Sequence, residues 1–139
     1  MRVKARVFLC IIFIFLLTVF TLSGCHRNTQ AEKGQKFDCS VVNVNVEEEG
    51  NVIVYSKAEM QTNTGKLIFQ NRNDFPVHFC LYDEEQHVVL EDDIPIGGCT
   101  SYEQVDPDIK YTVGLHADVA DGTEINVMAY DGDAVMEPY

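Results

Sequence analysis

Apolar and polar residues alternate with a period of two along much of this chain, the pattern of strands with one buried face. Val42, Val44 and Val46 alternate with Asn43 and Asn45; Glu47-Glu48-Glu49-Gly50-Asn51 then reads as a turn into a second strand, Val52-Ile53-Val54-Tyr55. Residues 66–70 direct Leu67 and Phe69 inward, and Asn71-Arg72-Asn73-Asp74 is a polar turn. In the next strand Val77, Phe79 and Leu81 face the core, while His78, Cys80 and Tyr82 face outward. Asp83-Glu84-Glu85-Gln86 leads to Val88-Val89-Leu90, Glu91-Asp92-Asp93-Ile94-Pro95 leads to a short strand over 99–102, and Asp106-Pro107-Asp108 is a further turn. The clearest alternation sets Tyr111, Val113, Leu115, Ala117 and Val119 against Thr112, Gly114, His116 and Asp118. Asp121-Gly122 is a hairpin dipeptide, after which Ile125, Val127 and Ala129 return inward. About eight strands, with turns at intervals of roughly 8 to 14 residues, predict an all-β fold: a single two-sheet antiparallel sandwich.

A different pattern opens the chain. Residues 7–22 form an apolar run of 16 residues interrupted only by Thr18 and Thr21, behind the cations Arg2, Lys4 and Arg6. A basic start, an apolar middle and small residues before a cut site make an export signal. The run is slightly long for a signal and slightly short for a spanning helix, which needs roughly 20 apolar residues. Length therefore does not decide between a cleaved signal helix and a retained one. The pair Ser23-Gly24 before Cys25, followed at once by the polar stretch 26–36, favours cleavage. Either way, positive-inside topology keeps the three cations cytoplasmic and everything after residue 25 outside.

Leu22-Ser23-Gly24-Cys25 resembles the lipobox of bacterial lipoproteins. The resemblance implies a diacylglyceryl group on the Cys25 sulfur and cleavage just before it by signal peptidase II. It divides the chain into a signal peptide over 1–24, a lipidated cysteine with a polar linker over 25–36, and one domain over 37–139. Two acyl chains hold a protein stably at about 0.8 kcal/mol per buried CH₂. The expected location is the cell membrane, lipid-anchored, on the extracytoplasmic side.

Charge narrows the partners. Removing residues 1–24 takes away three of the ten Lys+Arg and none of the 22 Asp+Glu, so the mature chain carries −15. That argues against nucleic acid and against flat docking on anionic lipid. Contact with the membrane runs through Cys25, and a protein or envelope component outside it is the expected partner.

The stretch from Leu67 to Tyr130 contains Leu81-Tyr82-Asp83, Gly97-Gly98 and Tyr111-x-Val113-x-Leu115. It resembles the immunoglobulin-like or prepeptidase-C-type β-sandwiches of bacterial secreted proteins. The resemblance offers Tyr111 as a tyrosine corner, with a plain core tyrosine as the alternative; it carries no activity with it.

Cys10 leaves with the signal and Cys25 is taken by lipid, which leaves Cys39, Cys80 and Cys99. Three thiols outside the cytoplasm allow three single bridges. Cys80–Cys99 is the pairing chosen here, against the alternative that all three are small apolar residues.

The chemistry available is limited. His78 and Cys80 are two apart on one strand and share a face; with the 111–119 strand beside them, His116 joins a ligand set suited to zinc or copper. Carboxylates at 47–49, 83–85, 91–93, 106 with 108, and 131 with 133 offer oxygens for calcium, although none fits the EF-hand spacing. Tyr82, Tyr102, Tyr130 and Tyr139 are candidate exposed rings for recognition. G-x-S-x-G, H-E-x-x-H and G-x-x-x-x-G-K are all absent. A thiol and base pair drawn from Cys39, Cys80 or Cys99 with His78, His87 or His116 needs a contact that spacing cannot supply. The chain therefore reads as a non-catalytic, lipid-anchored interaction module requiring no cofactor. The alternative is a lipoprotein binding a cation, calcium or zinc and copper, or a small ligand.

Overall fold

A computed structural model describes residues 34–132, and every regular element among them is a strand. Residues 1–33, where the signal peptide, Cys25 and the linker are expected, and residues 133–139, with Asp133 and Tyr139, lie outside the described residues. In chain order the strands are β1 (Lys36–Asp38), β2 (Val41–Val42), β3 (Val44–Val46), β4 (Gly50–Val52), β5 (Val54–Met60), β6 (Lys66–Asn71), β7 (Val77–Tyr82), β8 (Val88–Ile94), β9 (Cys99–Glu103), β10 (Tyr111–His116), β11 (Glu124–Ile125) and β12 (Val127–Asp131). Eight of them build two four-stranded sheets, ordered β1-β12-β6-β9 and β5-β10-β7-β8, with every pairing antiparallel. The other four form two short ribbons, β11-β2 and β3-β4.

The core lies where the alternating residues of the two sheets meet. Leu67, Phe69, Val127 and Ala129 from one sheet and Val77, Phe79, Leu81, Val113 and Leu115 from the other are wholly buried. Phe69 and Phe79 touch across the gap with ring centroids 4.9 Å apart. Each large side chain removed from water in this way contributes about 1.5–3 kcal/mol. Tyr111 is buried, and its hydroxyl accepts a hydrogen bond from the Asp106 backbone N–H at 3.1 Å. It is thus a core tyrosine tied to backbone five residues upstream.

Polar side chains fix the crossings between sheets. The Asn71 amide donates to the carbonyls of Phe75, Ile94 and Pro95, which clamps the passage from β6 to β7 onto the end of β8. Asp131, fully buried, accepts hydrogen bonds from the hydroxyls of Thr62 and Thr64 and the backbone N–H of Asn63.

Five expectations are corrected. Val42, Val44 and Val46 are exposed and Asn43 is buried, the reverse of an apolar inner face. The Asn43 amide donates to Asn51 Oδ1 and to the carbonyls of Val119 and Ala120, and these bonds hold the asparagine inward. Asp121-Gly122 does form a turn, with Gly122 at φ +77°, but not a hairpin, because β10 and the strands that follow it join different sheets. Residues 91–94 continue β8 instead of leading into a turn. Tyr130 is fully buried on the face away from the core, its hydroxyl held by Arg72 and Gln70. Cys80 and Cys99 stand on strands of different sheets, and Cys80 points away from the space between them, so they do not form a bridge.

Candidate metal centre

Three adjacent strands carry the site. Residues opposite one another in β10, β7 and β8 form rows across the outer face of their sheet. One row is His116, His78 and Asp93; the next is Gly114, Cys80 and Glu91; a third is Thr112, Tyr82 and Val88. Alternation along β7 sends Val77, Phe79 and Leu81 into the core and leaves His78, Cys80 and Tyr82 on this face.

His78 lies between two carboxylates. Its Nδ1 is 2.8 Å from Asp93 Oδ1 and its Nε2 is 3.1 Å from Glu91 Oε1. Cys80 Sγ lies 3.7 Å from the same Nε2. The His116 ring packs against the His78 ring with centroids 4.6 Å apart, and its buried Nδ1 has no hydrogen-bond partner. The donor atoms of His78, Cys80 and Glu91 all lie within 4.8 Å of one another, the one such group of three among the described residues.

The outer face is roofed around Cys80, which is only 2% exposed. Tyr82, the next outward residue of β7, packs against Tyr55 at 5.2 Å between ring centroids and hydrogen-bonds with Cys80. Gly114 makes that packing possible. A Cβ there would stand 2.5 Å from Ile53 Cγ2 and 3.1 Å from Tyr82 Cε2, so one of them would have to move.

Charge and burial act on each group in turn. Burial pushes the Cys80 thiol above its usual range; a hydrogen bond with Tyr82 opposes that, and the Glu91 carboxylate reinforces it. His116 is held below the ordinary histidine value, first by burial and then by the neighbouring His78, against the opposing pull of Asp93 and Glu91. Burial also raises the Tyr82 phenol, with its bonds to Tyr55 and Cys80 adding to the effect.

Two chemistries use a cysteine beside a histidine that a carboxylate orients. A nucleophile needs a lowered thiol pKa and access to substrate; Cys80 has a raised pKa and almost no exposure. A metal ion, by contrast, deprotonates a coordinating thiol outright. The Nε2···Sγ spacing is near that of two ligands on one ion, whereas Nε2···Oε1 is a hydrogen-bonded contact that would have to open by about 0.3 Å. Bonds of about 2.1 Å to nitrogen or oxygen and about 2.3 Å to sulfur, at a tetrahedral angle, separate N from S by about 3.6 Å and N from O by about 3.4 Å. The corresponding contacts here are 3.7 and 3.1 Å. Asp93, 2.8 Å from Nδ1, would serve as the outer partner orienting the ring if Nε2 held a metal.

Of the residues expected to act together, His78 and Cys80 come into contact, and His116 lies beside His78 with its donors outside the group of three. In the sequence Glu91 and Asp93 read as calcium oxygens or as a solvated turn, not as partners of His78. Their signal was the period-two placing of Leu90 and Ile94, which makes residues 91 and 93 outward-facing on a strand. The carboxylates at 47–49 lie in the β3-β4 turn, and those of Asp83 and Asp106 accept backbone N–H groups of their own turns. Asp131 is spent on Thr62, Asn63 and Thr64. Among the proposed recognition rings Tyr82 and Tyr130 are buried, and Tyr102 is half-buried against the core. Tyr55, at 52%, is the exposed tyrosine that alternation did not single out.

No known protein family matches the chain, and no curated protein matches it either.

Proposed function

We propose that this chain is a non-catalytic lipoprotein, anchored at Cys25 on the outer side of the cell membrane, whose sandwich binds a zinc or copper ion through His78, Cys80 and Glu91. The observation that supports the reading is that His78 Nε2 lies 3.7 Å from Cys80 Sγ and 3.1 Å from Glu91 Oε1, with the donor atoms of all three residues within 4.8 Å of one another. Nitrogen, sulfur and oxygen donors together suit zinc or copper, whereas calcium takes six to eight oxygens. The Leu22-Ser23-Gly24-Cys25 motif behind its apolar run supports the anchor. Calorimetric titration of the full chain in detergent with zinc, copper and calcium tests it. One site per chain for zinc or copper and none for calcium is the expected result; no heat and no change in melting temperature with either transition metal rejects it.

A second reading, a docking module for a protein or envelope component, is favoured by Val42, Val44 and Val46, which are 56%, 41% and 41% exposed. Val42 also borders a groove of about 410 Å³ whose lining includes Asp38, Val41, Val54, Tyr55, Lys57 and Glu124. Crosslinking in intact cells tests this, with Val44→Asp expected to abolish any product.

A further inference from the structure

The three proposed donors all rise from one face of one sheet, which sets them on the same side of an ion. A tetrahedral ion takes four ligands, and structural zinc sites take all four from protein. An ion held by these donors would have its remaining position on the solvent side, where the carboxylate arms of Glu91 and Asp93 are 59% and 78% exposed, with Cys80 buried below them. His116, the nearest further histidine, has its ring against that of His78 and its Nδ1 buried. Glu91 is the most exposed and the hardest donor of the three, and so the easiest to displace.

We infer that this is an exchange site, which passes its ion to and from an incoming thiol-bearing partner of basic surface through the solvent-facing coordination position. The inference rests on the metal-binding reading above. In the transfer an incoming R–SH gives its proton to solvent and its sulfur forms a bond to the ion. The bond to the Glu91 carboxylate breaks first and the bonds to His78 Nε2 and Cys80 Sγ follow, the Cys80 sulfur taking a proton from solvent. No atom changes oxidation state. Glu91 and Asp93 at the mouth, on a mature chain of −15, favour a cationic donor over an anionic one.

The test uses the full chain in detergent, loaded with one equivalent of zinc, and follows zinc release to a chromogenic chelator in the presence of cysteamine or mercaptoacetate. Release is expected to accelerate in proportion to thiol concentration. Cysteamine should be faster by at least about threefold, and that advantage should collapse in high salt, where charges are screened within about 3 Å at 1 M. A rate independent of thiol concentration means a closed site that empties only by spontaneous dissociation, and overturns the inference while leaving the metal site standing. Equal rates for the two thiols overturn the basic partner. Failure of the chain to take up zinc or copper at all removes the metal-binding reading, and this inference with it.

Discussion

Asp93 Oδ1 stands 2.8 Å from His78 Nδ1, and that contact decides which nitrogen of the ring is presented to Cys80 and Glu91. A proton on Nδ1 directed to Asp93 would leave Nε2, 3.1 Å from Glu91 Oε1 and 3.7 Å from Cys80 Sγ, to an ion. Replacing such an outer partner typically lowers metal affinity by about 10–100-fold. Because the Asp93 side chain is 78% exposed, Asp93→Ala is expected near the lower end, about tenfold, with stoichiometry unchanged in calorimetry.

Proton linkage follows from Cys80. Its thiol is raised by burial and by Glu91, with Tyr82 acting against them, so at neutral pH the sulfur carries a proton that an ion must displace. Affinity should therefore fall as pH falls, by about tenfold per pH unit below 8 where one proton is exchanged. Titrations in buffers of differing ionisation enthalpy measure that proton directly, and Cys80→Ser should abolish its release.

Gly114 is a packing requirement of the site. Gly114→Ala places a methyl 2.5 Å from Ile53 Cγ2 and 3.1 Å from the Tyr82 ring. Forcing such an atom into a filled space costs about 1–3 kcal/mol, and displacing Tyr82 disturbs its hydrogen bond to Cys80. Both a lower melting temperature and weaker metal binding are expected. An unchanged affinity would separate the roof from the site.

Acid should loosen the opposite end of the fold. Burial raises the Asp131 carboxyl, but hydrogen bonds from Thr62, Asn63 and Thr64 outweigh it and hold the group below the usual carboxylate range. A depressed folded value stabilises the protein above the unfolded carboxylate pKa of about 3.9 and is lost as pH falls through the folded one. Asp131→Ala should therefore cost about 3 kcal/mol at pH 7 in denaturant unfolding, by stranding the donors that face it, and should flatten the acid limb of the stability profile.

Cys39 is buried among core residues with its thiol pushed up to about 12. Alkylation should reach it only when the domain unfolds, and peptide mapping after native and denatured labelling checks this.

The sandwich was legible because period-two alternation is strongest where both sheets need it, at Leu67 and Phe69, at Val77, Phe79 and Leu81, and along β10. The same periodicity put His78 and Cys80 on one face, and the pairing of β7 with β10 brought His116 opposite His78. What alternation cannot show is the hydrogen bonding that overrides it. Asn43 displaces three valines from the interior because its amide has three acceptors there. Tyr130 is covered on the outer face because Arg72 and Gln70 hold its hydroxyl. Glu91 and Asp93 were hidden by composition, since consecutive acids look like a solvated turn until the register with Cys80 and His78 is known.

Cobalt(II) substitution reads the donor set most directly, because a bound thiolate gives a charge-transfer absorption that carboxylate and imidazole ligands do not. The full chain is predicted to take one cobalt with that band, lost in Cys80→Ser and weakened in His78→Gln and Glu91→Gln. A band that survives Cys80→Ser, or cobalt bound with no thiolate band at all, would contradict a centre built on these three residues.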